Sequence, residues 1–121
     1  MKPLIYAIDD DQTSRVLYRI TFRDDYRIRT FEDGIGLLQA IDEERPDIII
    51  CDLCLPWWDG YSVLEAVTAY DPTIPIIVAT GMDGDEQKIA VEALGYAYYH
   101  KACNINKLRE LVQCHHCQKL I

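Results

Sequence analysis

Two short runs of the sequence are apolar at every position, and they constrain the fold more than any other feature. The runs are Ile48-Ile49-Ile50-Cys51 and Ile76-Ile77-Val78-Ala79, and neither alternates between apolar and polar side chains. A strand with one face in water alternates with a period of two residues, whereas an uninterrupted run is typical of a strand buried on both faces. The sequence therefore predicts a parallel sheet that helices cover on both sides.

Three further apolar runs and five amphipathic stretches extend this pattern along the whole chain. The predicted strands are Leu4–Ile8, Tyr26–Thr30, Ile48–Cys51, Ile76–Ala79 and Ala97–Tyr99. The predicted helices are Ser14–Phe22, Gly36–Glu44, Tyr61–Tyr70, Asp85–Leu94 and Ile105–Leu120. Regular alternation predicts an α/β fold of the (βα)5 type, a doubly wound sheet with right-handed crossovers. The flavodoxin-like strand order 2-1-3-4-5 is a common arrangement of this kind.

The spacing of apolar residues indicates which face each helix buries. On the first helix these residues are Val16, Leu17, Ile20 and Thr21, with Thr13 or Ser14 available as the N-terminal cap. On the fourth helix they are Ile89, Ala90, Ala93 and Leu94. Gly95 follows that helix, in the position where a left-handed residue ends many helices. We expect these apolar faces to pack on the sheet.

Length, charge and cysteine count exclude several classes of protein. A chain of 121 residues has room for one domain, so we expect residues 1–121 to form it without a separate output module. The net charge of −8 disfavours direct binding to nucleic acid or to an anionic membrane surface. No apolar run approaches the roughly 18 residues of a membrane helix. Five cysteines, an odd number, suit a reducing compartment, so we expect a cytoplasmic protein.

Polar residues follow four of the five predicted strands. Asp9 and Asp10 follow the first, Asp52 the third, Thr80 the fourth and Lys101 the fifth. Because the carboxyl ends of parallel strands share one edge of the sheet, these residues should meet at that edge, where such folds bind their ligands.

Three carboxylates and one ammonium group give this edge a charge of −2. Two like charges about 4 Å apart repel by roughly 4 kcal/mol even at an effective dielectric constant near 20. A divalent cation relieves that repulsion, and Mg²⁺ prefers oxygen ligands and phosphate oxygens. A carboxylate can also act as the nucleophile in phosphoryl transfer. Lys101 can neutralise one phosphoryl oxygen, and the Thr80 hydroxyl can donate to another.

The motifs at these positions resemble those of receiver domains in two-component response regulators. They are Ile8-Asp9-Asp10, Asp52-Leu-Cys-Leu-Pro56 with Asp59-Gly60 after it, Ala79-Thr80-Gly81, and Lys101. Their order and spacing match along essentially the whole chain. The resemblance implies a signalling domain that takes a phosphoryl group from a histidine kinase or a phosphotransfer protein, rather than an enzyme acting on other substrates.

The resemblance also assigns roles to individual residues. Asp52 is then the phosphoacceptor, Asp10 and Asp52 ligate Mg²⁺ directly, Asp9 does so through water, and Cys54 contributes its backbone carbonyl. Lys101 and Thr80 would contact the phosphoryl group. Thr80 and Tyr98 would form the switch pair that alters the surface of the fourth helix, fifth strand and fifth helix. That surface would signal to an output domain or a downstream protein.

The sequence departs from the family after Lys101, where receivers usually have proline and this chain has Ala102. A cis bond costs roughly 2.5–4 kcal/mol without proline, so we expect the Lys101–Ala102 bond to be trans. Lys101 should then be less rigidly held.

Two alternatives to a phosphorylated receiver stay open. One is a degenerate receiver that binds partners without phosphorylation. The other is a flavodoxin-like FMN protein, although the acidic loop Asp9-Asp10-Asp11-Gln12 would repel a flavin phosphate unless a metal intervened.

The cysteine and tryptophan pairs suggest other sites. Cys114-His115-His116-Cys117 has zinc-ligand residue types but lies on one helix far from Cys51 and Cys54, so we expect no tightly held zinc there. Trp57 and Trp58 lie in the loop after the predicted acceptor Asp52 and could cover the site or meet a partner.

Overall fold

The uninterrupted apolar runs form central strands of a parallel sheet in the computed structural model, which describes residues 2–55, 59–82 and 84–119. The strands are β1 (Leu4–Ile8), β2 (Arg27–Phe31), β3 (Ile48–Cys51), β4 (Ile76–Thr80) and β5 (Ala97–His100). Their order is β2-β1-β3-β4-β5, and every neighbouring pair is parallel. The predicted flavodoxin-like order is confirmed, although β2 begins one residue later than the sequence predicted.

Four helices connect the strands, a fifth follows β5, and together they cover both faces of the sheet. They are α1 (Gln12–Phe22), α2 (Gly34–Glu43), α3 (Gly60–Tyr70), α4 (Asp85–Ala93) and α5 (Ile105–Lys119). Helices α2, α3 and α4 pack on one face of the sheet, and α1 and α5 pack on the other. Alternate residues of one strand enter opposite layers; Ile49, for example, lies in the first and Ile50 in the second. None of the described helices is both long and apolar enough to cross a membrane.

Helix α1 buries a different face from the one that its aliphatic residues predicted. Tyr18 and Phe22, four residues apart, are each 2% exposed and pack in the layer shared with α5. Val16, Leu17 and Ile20 are 38%, 44% and 54% exposed. An aromatic side chain buries more area than an aliphatic one, so two aromatic residues set the rotation of this helix. The sequence prediction, which counted aliphatic positions, was wrong here.

The predicted cap of α1 was also wrong. Asp11, rather than Thr13 or Ser14, is the N-cap residue, and its carboxylate accepts the backbone N–H groups of Thr13 and Ser14. Aspartate is a strong N-cap because its side chain satisfies amides that have no partner within the helix. The cap starts the helix at Gln12, two residues before the predicted start.

Helix α4 also differs from the sequence prediction. Val91 is its buried residue, and the predicted apolar face is exposed. Ile89 and Leu94 are 66% and 60% exposed. The helix is short and packs beside β5, the edge strand, so less sheet is available for it to cover. Gly95 follows with φ of 90°, which confirms the predicted left-handed end of this helix.

The two faces of α1 provide a test of this packing. We expect Phe22→Ala to lower the free energy of unfolding by about 3–5 kcal/mol, because it leaves a cavity in the core. Leu17→Ala, on the exposed face of the same helix, should cost less than about 1 kcal/mol. Urea unfolding of the two variants beside wild type measures both values. Equal losses would contradict the orientation of α1.

Candidate functional site

The backbone itself aligns the polar residues at the carboxyl edge of the sheet. The parallel hydrogen-bond pattern continues one residue beyond the strands: Asp9 donates its N–H to Phe31, Asp52 to Ile8 and Lys101 to Thr80, at N···O distances of 3.0, 3.1 and 2.9 Å. Residues joined in this way lie side by side across the sheet. Asp9, Asp52 and Lys101 are therefore positioned by the same interactions that form the sheet.

Lys101 bridges the two buried carboxylates of this edge. Its Nζ lies 2.6 Å from Asp9 Oδ2 and 3.1 Å from Asp52 Oδ2. Asp9 is 0% exposed and Asp52 is 4% exposed, so both charges are almost entirely removed from bulk water. Buried charges are tolerated only when they are paired and hydrogen-bonded. Lys101 supplies that pairing to both carboxylates at once.

Backbone amides occupy the remaining oxygens of the two buried carboxylates. Asp9 Oδ1 accepts the N–H of Asp11 at 3.0 Å, and Asp52 Oδ1 accepts the N–H of Cys54 at 3.2 Å. Asp10, by contrast, is exposed. Of the three carboxylates, that of Asp10 is the most accessible to an incoming ligand.

The arrangement fits a hard divalent cation. Within the described residues, Asp9, Asp10 and Asp52 form a group whose carboxylate oxygens lie within 4.8 Å of one another. The group carries −3 and Lys101 carries +1, so a divalent ion would bring the local charge to zero. Oxygen ligands with this charge suit Mg²⁺, which is commonly held by one or two carboxylates together with phosphate oxygens.

The electrostatic environment raises the pKa of both Asp52 and Lys101. Burial raises the pKa of Asp52, while the Cys54 N–H and Lys101 lower it and the Asp9 charge raises it; the pKa is raised overall. Burial alone would lower the pKa of Lys101, but hydrogen bonds and charges from Asp9 and Asp52 outweigh burial and raise it. The negative charge on Asp52 is thus costly in the metal-free site.

Thr80 and Tyr98, the predicted switch pair, lie on neighbouring strands. Thr80 is fully buried, and its Oγ1 accepts the N–H of Met82 at 3.1 Å. Tyr98 is half-buried and packs against the layer of α2, α3 and α4. It also lines a groove between α4, β5 and α5, together with Lys88 and Lys107. The coupling between the two residues stays a prediction.

The loop after Lys101 uses the amide that a proline would lack. No peptide bond within the described ranges is cis, which confirms the trans prediction for Lys101–Ala102. The Ala102 N–H donates to His100 Nδ1 at 3.0 Å. Next to it, Tyr99 donates its hydroxyl to the carbonyl of Cys103 at 2.8 Å. Tyr99 and His100 are the last two residues of β5. The hydrogen bonds of their side chains hold the loop that carries Lys101.

Two residues at the site were missed from the sequence. Arg15 donates from Nη1 to the backbone carbonyl of Asp9 at 2.7 Å, and the Tyr18 hydroxyl lies 3.5 Å from Asp9 Oδ2. The signal that could have found Tyr18 is its polar tip on a helix whose other apolar side chains are aliphatic or phenylalanine. Both residues act on Asp9 from α1.

Several residues singled out in the sequence lie outside the described residues or do not belong to the acidic cluster. Pro56, Trp57 and Trp58 lie outside the described residues, as does the side chain of Cys117. Cys51 is buried in β3, and burial raises the pKa of its thiol. Cys54 and Cys114 are exposed.

Comparison with known proteins identifies similar chains. A model of the response regulator receiver domain matches residues 5–113. The DNA-binding transcriptional regulator NtrC of Proteus hauseri is 31% identical over 111 residues, which cover 90% of this chain and 24% of that protein. A protein-glutamate methylesterase/protein-glutamine glutaminase of Anaeromyxobacter dehalogenans is 33% identical over 95 residues, which cover 78% of this chain and 27% of that protein. The chain thus spans about a quarter of the length of these curated relatives.

Solved structures show the same fold. The signal receiver domain of a putative LuxO repressor protein from Vibrio parahaemolyticus superposes with a TM-score of 0.90 at 26% identity, and the match covers 98% of this chain and 93% of that one. A putative response regulator from Chloroflexus aurantiacus gives a TM-score of 0.86 at 28% identity, covering 97% and 99%. The similarity therefore extends over nearly the full length of both chains.

Gly60 should be essential for the geometry of Asp52. A Cβ at Gly60 would lie 2.3 Å from the Asp52 carbonyl oxygen and 2.5 Å from Leu53 Cα, so the backbone beside Asp52 would have to move. We expect Gly60→Ala to cost about 1–3 kcal/mol in urea unfolding. Gly36→Ala is the matched control, because a Cβ there meets its nearest atom at 3.5 Å and should be neutral or stabilising. Similar losses in both variants would contradict this interpretation.

The raised pKa of Asp52 predicts how the stability gained or lost by replacing this residue depends on pH. Protonation of Asp52 favours the folded state, so its stabilising effect is complete below its ordinary pKa of 3.8 and is lost as the pH rises through the raised value. Metal-free Asp52→Asn should therefore be more stable than wild type at pH 7, and the difference should shrink as the pH falls through the raised pKa toward 3.8. Urea unfolding across this range tests it, with exposed Asp42→Asn as the charge control. A difference that does not change with pH would contradict it.

Proposed function

The chain belongs to the response regulator receiver domain family of two-component systems, and on that premise we propose that it accepts a phosphoryl group on Asp52 in a Mg²⁺-dependent reaction. The observation that carries the proposal is the bridge from Lys101 to the buried carboxylates of Asp9 and Asp52. A buried group with this net negative charge has a high free energy cost, which an incoming divalent cation would relieve.

Asp52 is the carboxylate best suited to be the nucleophile. It lies between Asp9 and Lys101 at the centre of the edge, and its backbone is fixed by the hydrogen bond to Ile8. In the transfer, a carboxylate oxygen of Asp52 forms a bond to phosphorus while the bond from phosphorus to the donor's imidazole nitrogen breaks. The electron pair of that bond leaves with the nitrogen, and no other co-reactant is required.

The surrounding residues would hold the phosphoryl group and the cation. Lys101 would turn from Asp52 Oδ2 to a phosphoryl oxygen, and the Thr80 hydroxyl would donate to another. Asp10 and Asp52 would ligate Mg²⁺ directly, with the backbone carbonyl of Cys54. Asp9 is the most deeply buried of the three carboxylates, which supports an indirect role for Asp9 through water. The cation would supply charge neutralisation at the transferring phosphoryl oxygens.

The proposed output of phosphorylation is a change on the surface formed by α4, β5 and α5. Thr80 would move toward the phosphoryl group, and the Tyr98 ring would turn inward behind it. The groove that Tyr98 lines lies on this surface, so a rotation of that ring would change the shape of the groove. An output domain or a downstream protein would read the altered surface.

We assign residues 1–121 to this receiver unit. Its phosphodonor would be a histidine kinase or a phosphotransfer protein, and it would catalyse its own phosphotransfer rather than act as an enzyme on other substrates. The exposed cysteines of the described residues suit the reducing cytoplasm. The net charge of −8 gives no support to direct contact with nucleic acid or membrane.

Phosphorylation with a small donor tests the proposal. Wild type incubated with acetyl phosphate and Mg²⁺ should gain the mass of one phosphoryl group, because Asp52 is the single predicted acceptor. Asp52→Asn should not gain it, and chelation of Mg²⁺ should prevent it in wild type. Intact mass spectrometry measures the change. Labelling that persists in Asp52→Asn would overturn the assignment, and unmodified wild type would favour a receiver that binds partners without phosphorylation.

A further inference from the structure

Tyr18 reaches from α1 to the base of the acidic cluster. Its side chain is 2% exposed, and its hydroxyl donates to Asp9 Oδ2 over 3.5 Å, the long end of the hydrogen-bonding range. A tyrosine hydroxyl that is buried generally finds a partner. Burial first, and then the charges of Asp9 and Asp52, raise the pKa of Tyr18. The hydroxyl therefore keeps its proton and faces Asp9 as a donor.

The same oxygen of Asp9 serves two donors of very different strength. Lys101 Nζ lies 2.6 Å from Asp9 Oδ2, whereas the Tyr18 hydroxyl is 0.9 Å farther away at 3.5 Å. The other oxygen, Oδ1, is already taken by the N–H of Asp11. Lys101 is thus the main partner of Oδ2, and Tyr18 is a second partner that is aimed at this oxygen but does not contact it closely.

Movement of Lys101 would leave Asp9 without its closest donor. The proposed phosphorylation requires Lys101 to turn toward a phosphoryl oxygen, away from the carboxylates that it now bridges. Asp9 is 0% exposed, so bulk water cannot readily replace the lost bond. A buried charged acceptor that loses its donor is strongly destabilised. The Tyr18 hydroxyl can relieve this by closing to about 2.7 Å, the usual O–H···O distance.

We propose that Tyr18 is a positioning residue that becomes the principal side-chain donor to Asp9 when Lys101 turns toward the phosphoryl group. The proposal rests on the proposed function and extends it. Tyr18 touches neither the phosphoryl group nor its donor; it acts by keeping the Asp9 carboxylate in place for the cation. The contribution of the Tyr18 hydroxyl to cation binding must therefore depend on the position of Lys101.

A double-mutant cycle with Mg²⁺ alone tests this dependence. In the wild-type background, Tyr18→Phe should weaken Mg²⁺ binding less than about twofold, because Lys101 still holds Asp9. In a Lys101→Met background, the same change should weaken it about tenfold, because Tyr18 is then the remaining side-chain donor. Dissociation constants come from NMR titration of the backbone amides of Asp10 and Cys54. Equal effects in the two backgrounds would overturn the proposal.

Tyr6→Phe provides the matched control. Tyr6 is also fully buried, but its hydroxyl donates to the backbone carbonyls of Ala40 and Glu44 instead of the acidic cluster. This variant should change Mg²⁺ binding equally in both backgrounds, and it reports the general effect of losing a buried hydroxyl. If Tyr18→Phe behaves in the same way as Tyr6→Phe, Tyr18 has only a structural role and the proposal fails.

A measurement on the unaltered protein gives an independent test should a variant not fold. Tyrosine labelled with ¹³C at Cζ reports the hydrogen bond of each hydroxyl. Addition of beryllofluoride and Mg²⁺, which mimics the phosphorylated state, should shift the Tyr18 resonance as its bond to Asp9 shortens. The resonance of Tyr6, whose hydroxyl donates to backbone carbonyls away from the site, should not shift. An unchanged Tyr18 resonance in protein that has bound beryllofluoride would refute the proposal.

The results also distinguish a failure of the proposed function from a failure of the proposed role of Tyr18. If wild type binds neither Mg²⁺ nor beryllofluoride, the proposed function is wrong and the role of Tyr18 falls with it. If wild type binds both and the Tyr18 hydroxyl has no effect that depends on Lys101, the proposed function stands and only the role of Tyr18 is wrong.

Discussion

Lys101 holds together two carboxylates that the sheet brings side by side and almost completely buries. Without a cation between them, Asp9 and Asp52 would repel each other in a region of low dielectric constant, where such repulsion is strongest. The surrounding structure is organised around this pairing. The loop from His100 to Cys103 holds the lysine backbone, the amides of Asp11 and Cys54 satisfy the other carboxylate oxygens, and α1 covers Asp9 from behind.

Much of the fold and of the candidate site could be predicted from the sequence, because both follow from regular strands. Apolar runs without alternation indicated a sheet covered on both faces, and parallel strands necessarily bring their carboxyl ends to one edge. The meeting of Asp9, Asp52 and Lys101 follows from that geometry alone. Hydrophobic pattern and strand direction therefore specify which residues meet, without reference to any side-chain contact.

The features that the sequence did not predict depend on side-chain size and on competition between alternative hydrogen-bond partners. The face of α1 was assigned from aliphatic positions, but Tyr18 and Phe22 fill more space and turn the helix toward themselves. Asp11 could have belonged to the acidic cluster or capped the helix, and only its distance from the Thr13 and Ser14 amides resolves the choice. The bond from Ala102 to His100 likewise depends on a ring orientation that sequence spacing does not encode.

The extension of the sheet hydrogen bonds by one residue beyond β1, β3 and β5 has an evolutionary consequence. The amides of Asp9, Asp52 and Lys101 belong to the sheet, while their side chains belong to the site. A substitution at one of these positions changes the chemistry and leaves the backbone bond intact, since every amino acid except proline supplies that N–H. During evolution, the chemistry of this edge can therefore be lost, altered or regained while the fold is retained.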